Sequence, residues 1–163
     1  MVRQAETARP LTAAGSARFA VIASRFNEAI TSALVTGARA ALEEAGARRE
    51  EVTLVMVPGA FELPQAARAA AATGRFDAIV CLGCVVRGET PHFEYISAAV
   101  AQGLMNASGD TGVPMAFGVL TTDTWEQAEA RAGAGRDTKG FEAAAAALEM
   151  AAVLRAFRAG GAE

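Results

Sequence analysis

Apolar residues fall along this chain in short runs separated by polar breaks. Four of the runs are nearly continuous: Arg18-Phe-Ala-Val-Ile-Ala-Ser24, Glu51-Val-Thr-Leu-Val-Met56, Asp77-Ala-Ile-Val-Cys-Leu82 and Val113-Pro-Met-Ala-Phe-Gly-Val-Leu120. Runs of this length with β-branched residues predict strands buried on both faces. Pro114 is tolerated near the start of its strand, and Pro58-Gly59 turns the chain after the second. Between the strands the spacing becomes helical. Asn27 predicts the N-cap of a helix from Glu28 to Ala45 that Gly46 stops, and a second helix runs from Glu62 to Thr73 before Gly74. Thr90 reads as an N-cap with Pro91 at the first helical position of a helix reaching Asn106. Thr124-Trp-Glu-Gln127 has capping-box spacing and opens a short helix, and Gly140 to Phe157 forms a long alanine-rich one. Strand and helix alternate throughout, which predicts a three-layer α/β/α sandwich around a four-stranded parallel sheet. No composition shift or repeat divides the chain. The expected organisation is an N-terminal arm over residues 1–17, one domain over 18–158 and a tail over 159–163.

Composition sharpens this reading in two ways. Of 163 residues, 52% are hydrophobic but only 6% aromatic, so the core must be built from alanine and small aliphatic side chains. A mean hydropathy of +0.23 is high for a monomer of this size and points to apolar surface buried between subunits. The net charge of −3 argues against non-specific binding to nucleic acid or anionic membrane. No apolar run approaches the roughly 20 residues of a membrane span, and the N-terminal stretch lacks a secretory core, so the cytoplasm is the expected location. Two Cys and one His fall short of the four ligands of a structural zinc site, and no metal or cofactor is expected. Proton transfer by an imidazole would have to use His92.

In a doubly wound sheet, ligands bind beyond the carboxyl ends of the strands. Arg25-Phe26-Asn27 follows the first strand, Pro58-Gly-Ala-Phe-Glu62 the second, Gly83 to His92 the third and Thr121-Thr-Asp123 the fourth. Gly88 to His92 carries the clearest chemistry. Amides at the start of the following helix can bind phosphate without a cationic side chain, and His92 stands in that first turn. A surface histidine is the bland alternative, and the neighbouring glycines and Arg87 favour a functional one. Phe26 and Phe61 divide evenly between core and ligand stacking. Arg131, Arg136 and Lys139 are either a solvated basic cluster or an anion site. Cys81-Leu-Gly-Cys84 matches a redox spacing, but Cys81 falls inside a strand, so packing is the better account. Gly133 to Lys139 lacks the spacing of a P-loop, and Asn106-Ala-Ser108 is a glycosylation sequon without meaning in the cytoplasm.

Taken together these segments resemble the 6,7-dimethyl-8-ribityllumazine synthases of riboflavin biosynthesis. The likeness rests on Arg25-Phe-Asn27, Val57-Pro-Gly-Ala-Phe-Glu-Leu-Pro64 and Leu82-Gly-Cys-Val-Val-Arg-Gly-Glu-Thr-Pro-His-Phe-Glu-Tyr95. It continues through Phe117-Gly118, Thr121-Thr122, Glu126-Gln-Ala128, Arg131-Ala-Gly133, Lys139-Gly140 and Glu149-Met150. The resemblance implies a transferase that condenses 5-amino-6-(D-ribitylamino)uracil with 3,4-dihydroxy-2-butanone 4-phosphate and releases phosphate and water. It implies that Phe26 stacks on the pyrimidine, that Ala60, Phe61 and Glu62 hold the ribityl chain, and that Cys84, Val85 and Val86 read the pyrimidine edge through their backbone. Glu89 and Thr90 match the phosphate turn, Arg131 the phosphate arginine and His92 the proton-transfer residue. Phe117 matches a lining residue at the end of the fourth strand, supplied by the adjacent subunit, and Lys139 a lysine near the site. Glu89 is a departure, because an acid pointing into the turn would repel phosphate; the backbone N–H is expected to face the ligand. Family members form pentamers, decamers or 60-subunit shells, and the short 134–138 loop leans towards the shell. Riboflavin synthase is an implied partner.

Two other readings compete. A non-catalytic relative could store a flavin or lumazine through the same contacts, but storage does not need both His92 and Arg131. The sandwich is also flavodoxin-like, which allows an electron carrier, although fold alone does not assign function.

Overall fold

A computed structural model describes residues 9–161. Four parallel strands, β1 (Phe19–Ser24), β2 (Val52–Val57), β3 (Ala78–Val86) and β4 (Met115–Thr122), form one sheet in the order β2-β1-β3-β4. Five helices cover it: α1 (Glu28–Glu44), α2 (Leu63–Ala72), α3 (His92–Thr111), α4 (Trp125–Glu129) and α5 (Lys139–Arg158). The fold is the expected α/β sandwich, flavodoxin-like in its strand order. The central strands β1 and β3 are buried over almost their whole length, while the edge strands are not buried throughout as expected: β2 exposes Thr53, Val55 and Met56, and β4 exposes Phe117 and Thr121.

The two faces of the sheet build two cores. Phe19, Val21, Val80 and Leu82 pack under α1 and α5 against Leu34, Leu42, Phe141 and Leu148. Ala20, Ile22, Ile79 and Cys81 pack under α2 and α3 against Leu63, Val100 and Leu104. The first core is thin because α5 offers mainly Ala143, Ala144, Ala147 and Ala151. Gly140 brings α5 onto the backbone of α1 at Leu34, where a β-carbon would have no room. Residues 1–8 of the expected arm and 162–163 of the expected tail lie outside the described residues. Ala14 and Ala17 are buried in the first core, and the Ala14 amide donates to the Ala45 carbonyl at 2.9 Å. No helix among the described residues is long and apolar enough to cross a membrane.

Several boundaries differ from the sequence expectation. β3 continues four residues past Leu82, because Gly83 to Val86 pair in register with Val119 to Thr122. β4 is correspondingly shifted towards Thr122. Ala60–Glu62 is a 3-10 turn, and α2 starts at Leu63 rather than Glu62. Pro91, not Thr90, is the N-cap of α3: its carbonyl is the first acceptor, taking the Glu94 amide at 3.0 Å. That helix also runs five residues past Asn106. Buried Ala107 anchors the extra turn, the Thr111 hydroxyl donates back to the Ala107 carbonyl, and Gly112 ends it in the left-handed conformation.

Candidate functional site

Strand order reverses between β1 and β3, so the chain leaves their carboxyl ends towards opposite faces of the sheet and a crevice opens there. Asn27 bridges this point. It adopts the left-handed conformation (φ 61°, ψ 47°) that asparagine tolerates better than most residues, and its Nδ2 donates to the Cys84 carbonyl at 2.9 Å. Its side chain does not cap α1 as the sequence suggests; it ties β1 to β3 instead. The turn beside it is fastened to the β2 loop, with the Arg25 amide donating to the Val57 carbonyl at 2.8 Å and the Phe26 amide to that of Pro58 at 3.0 Å. Phe26 is thereby displayed with 71% of its surface exposed, and Phe61 with 59%. Neither belongs to the core of this chain.

Glu62 is fixed by the turn that carries it: the Gly59 amide donates to its Oε2 at 2.9 Å. Ala60 is buried beside Gly83, whose missing β-carbon lets this turn lie against β3. β3 pairs with β1 only as far as Leu82 but with β4 as far as Val86. Over Cys84, Val85 and Val86 one backbone edge therefore has no strand beside it, on the side where Phe26 and Asn27 stand. Gly88, Glu89, Thr90 and His92 are all exposed at the start of α3. The amides of that first turn precede the helical hydrogen-bond pattern and face the positive end of the helix dipole.

The basic residues separate into different settings. Arg87 is engaged by Asp123 and Glu94. Arg136 pairs with Glu44 at the end of α1 and lies over the Phe141 ring, so it fastens helices together. Arg131 is exposed, with its NH1 donating to the Gln127 carbonyl at 2.8 Å. The Lys139 amide donates to the Arg131 carbonyl at 2.8 Å, which keeps these two cationic residues together at the entry to α5, and the Lys139 ammonium lies 3.9 Å from Glu142. Phe117 is not at the end of β4. It is the third residue of the strand and pairs with Cys81, five residues before Thr122. At ~3.3 Å per residue it stands ~16 Å from its own chain's rim.

A family model described as 6,7-dimethyl-8-ribityllumazine synthase matches residues 16–155. The chain belongs to the 6,7-dimethyl-8-ribityllumazine synthase family. It is 54% identical over 138 residues to the protein of that name from Syntrophus aciditrophicus (strain SB), covering 85% of this chain and 90% of the relative. It is likewise 54% identical over 137 residues to the one from Salinibacter ruber (strain DSM 13855 / M31), covering 84% and 88%. Membership makes the chain an enzyme, a transferase of riboflavin biosynthesis that acts on small molecules.

Within this lumazine synthase fold, one rim gathers Phe26, Ala60, Phe61, Glu62, the 84–86 edge, Glu89, Thr90 and His92 around the switch point. Arg131 and Lys139 form a separate pair, and Phe117 stands apart on the edge strand. Sequence reasoning missed the tether from Asn27 and the partners of Arg87. The first had a signal, since asparagine next to a strand end is a common left-handed residue; the second joins Arg87 to Glu94 seven residues on and to Asp123 36 residues on, and had none. Both cysteines are free thiols buried on β3. Burial pushes the Cys81 thiol up to about 12 and the Cys84 thiol up to about 11, so both stay protonated and poorly nucleophilic at neutral pH. A maleimide at pH 8 is expected to leave the folded protein unlabelled while labelling both thiols after denaturation. Fast labelling of either thiol in the folded state would contradict this.

Proposed function

We propose that the rim at the β1/β3 switch point binds 5-amino-6-(D-ribitylamino)uracil and that it is completed by a neighbouring subunit. Phe26 stacks on the pyrimidine, backbone groups of Cys84, Val85 and Val86 pair with its polar edge, and Ala60, Phe61 and Glu62 hold the ribityl chain. The observation that carries this reading is the stretch of β3 that runs beyond its pairing with β1 beside an exposed aromatic ring. A flat heteroaromatic with donors and acceptors on its rim needs both features in one place.

The second substrate, 3,4-dihydroxy-2-butanone 4-phosphate, docks its phosphate at the turn of Glu89 and Thr90, with the Glu89 side chain turned away and the first amides of α3 facing the anion. Arg131 pairs with the phosphate, and Lys139 adds positive charge beside it. His92 moves protons during imine formation between amine and ketone, phosphate elimination, ring closure and dehydration. None of these steps transfers electrons to an acceptor, so no cofactor is assigned. Holding two substrates together supplies much of the rate.

Phe117 supports a shared site, because a residue ~16 Å from its own rim can line only another one. Large apolar side chains exposed on α3 and α5, among them Tyr95, Met105, Val153 and Phe157, suit subunit contacts. A homo-oligomer, either a pentamer or a 60-subunit shell of pentamers, a cytoplasmic location and riboflavin synthase as a partner belong to the same reading.

Two inactive chains test the shared site directly. Phe26→Asp and Phe117→Asp each place a charge in the pyrimidine pocket and are expected to abolish formation of the lumazine, followed by its absorbance and fluorescence. If Phe117 serves a neighbour, co-assembling the two variants regenerates about one intact site in four, with activity to match. Mixtures as inactive as their parents would place the whole site within one chain. A wild-type protein that is folded and assembled but forms no product from the two substrates would remove the enzymatic reading itself.

A further inference from the structure

Arg87 follows β3 directly and reaches two other elements at once. Its Nε donates to Asp123 Oδ1 at 2.7 Å, in the turn after β4. Its NH1 donates to Glu94 Oε1 at 3.2 Å, and its guanidinium lies 4.5 Å from the centre of the Phe93 ring. The Arg87 amide donates to the Thr122 carbonyl at 2.8 Å. Phe93 and Glu94 are the two residues after His92, so this one side chain grips the first turn of α3 from two sides.

The charges decide what Arg87 is for. One guanidinium faces two carboxylates, so the cluster is net negative and a poor receptor for a phosphate dianion. Exposed ion pairs of this kind add little stability individually. A planar fork bonded in two directions and stacked on a ring does constrain orientation, which lysine cannot imitate. We infer that Arg87 is a positioning residue: through Phe93, Glu94 and Asp123 it sets where the His92 imidazole stands relative to the substrates. The inference rests on the reading of His92 as the proton-transfer residue.

Replacement by methionine keeps most of the aliphatic stem and removes the fork. Arg87→Met is expected to lower kcat about tenfold while KM for the phosphate substrate stays within about twofold, because displacement of a reacting group by even ~1 Å is costly. Arg87→Lys should recover only part of the loss. In a His92→Ala background the same change should have no further effect. A higher KM for the phosphate substrate with kcat intact would make Arg87 a phosphate ligand. An equal loss in both backgrounds would reduce it to a general structural role. His92 is the chain's only histidine, so the NMR signals of its labelled imidazole in untagged protein give an independent readout. They should shift or broaden in Arg87→Met, and unchanged signals would overturn the inference. His92→Ala turning over at the wild-type rate while those signals still move would instead defeat the proton-transfer reading and leave the positioning intact.

Discussion

Replacing His92 by alanine is expected to lower turnover by roughly 10²–10⁴-fold, the range associated with a well-placed general acid or base, without abolishing it. The residue is exposed at the first position of α3, where alanine is a good helix former, so stability should change by less than about 0.5 kcal/mol. What survives in the variant is the contribution of proximity. Imine formation and phosphate loss can proceed slowly with water as the proton carrier while the rim still aligns both molecules. Steady-state measurement of lumazine formation, with both KM values, checks this. A kcat within twofold of wild type would remove His92 from the chemistry, and a large rise in KM with kcat intact would make it a binding group.

Gly140→Ala should destabilise the fold by about 3 kcal/mol or more, at the upper end of the usual cost of overpacking a core. Helix propensity alone predicts the opposite, since alanine in place of glycine inside a helix gains roughly 0.5–1 kcal/mol. The added β-carbon would fall onto the Leu34 carbonyl oxygen, with the Leu34 carbonyl carbon at 2.8 Å and its α-carbon at 3.0 Å. All three atoms are backbone, so no rotamer change relieves the contact and α1 must move away from α5. Those helices cover the same face of the sheet and bury Leu34, Phe141 and Leu148 between them. Chemical denaturation read by circular dichroism gives the sign directly. A variant as stable as wild type would mean that the two helices separate at little cost.

Much of the fold was legible because its signals are local. The four apolar runs mark the four strands, and the glycines after α1 and α2 mark those ends by their freedom in the left-handed region. Thr124 caps α4 as its spacing suggests, its hydroxyl accepting the Gln127 amide at 3.2 Å. The errors fell where a distant partner decides. β3 reaches Val86 because β4 supplies a ladder there, although Gly83 reads as the start of a loop. The Thr111 hydroxyl donates back to the Ala107 carbonyl, the Ser108 hydroxyl donates forward to the Val113 carbonyl just beyond the helix, and Ala107 is buried, so the last turn of α3 holds past Asn106.

The candidate site divides along the same line. Its membership on the rim follows from strand order in the chain, since every parallel strand must end on the same edge of the sheet. Residue types then narrow the chemistry, with one imidazole, few aromatics and glycines before a helix start. What the linear order leaves open is geometry between segments. Only the tertiary structure shows that Asn27 ties β1 to Cys84, that Arg87 is committed to Asp123 and Glu94, and that Phe117 lies near the start of its strand, well back from its own rim. It also decides whether an alanine at position 140 helps or harms. The physical reason is range: periodicity and capping act over a few residues, whereas registers, ion pairs and close helix contacts join residues tens of positions apart and exist only once the sheet has assembled.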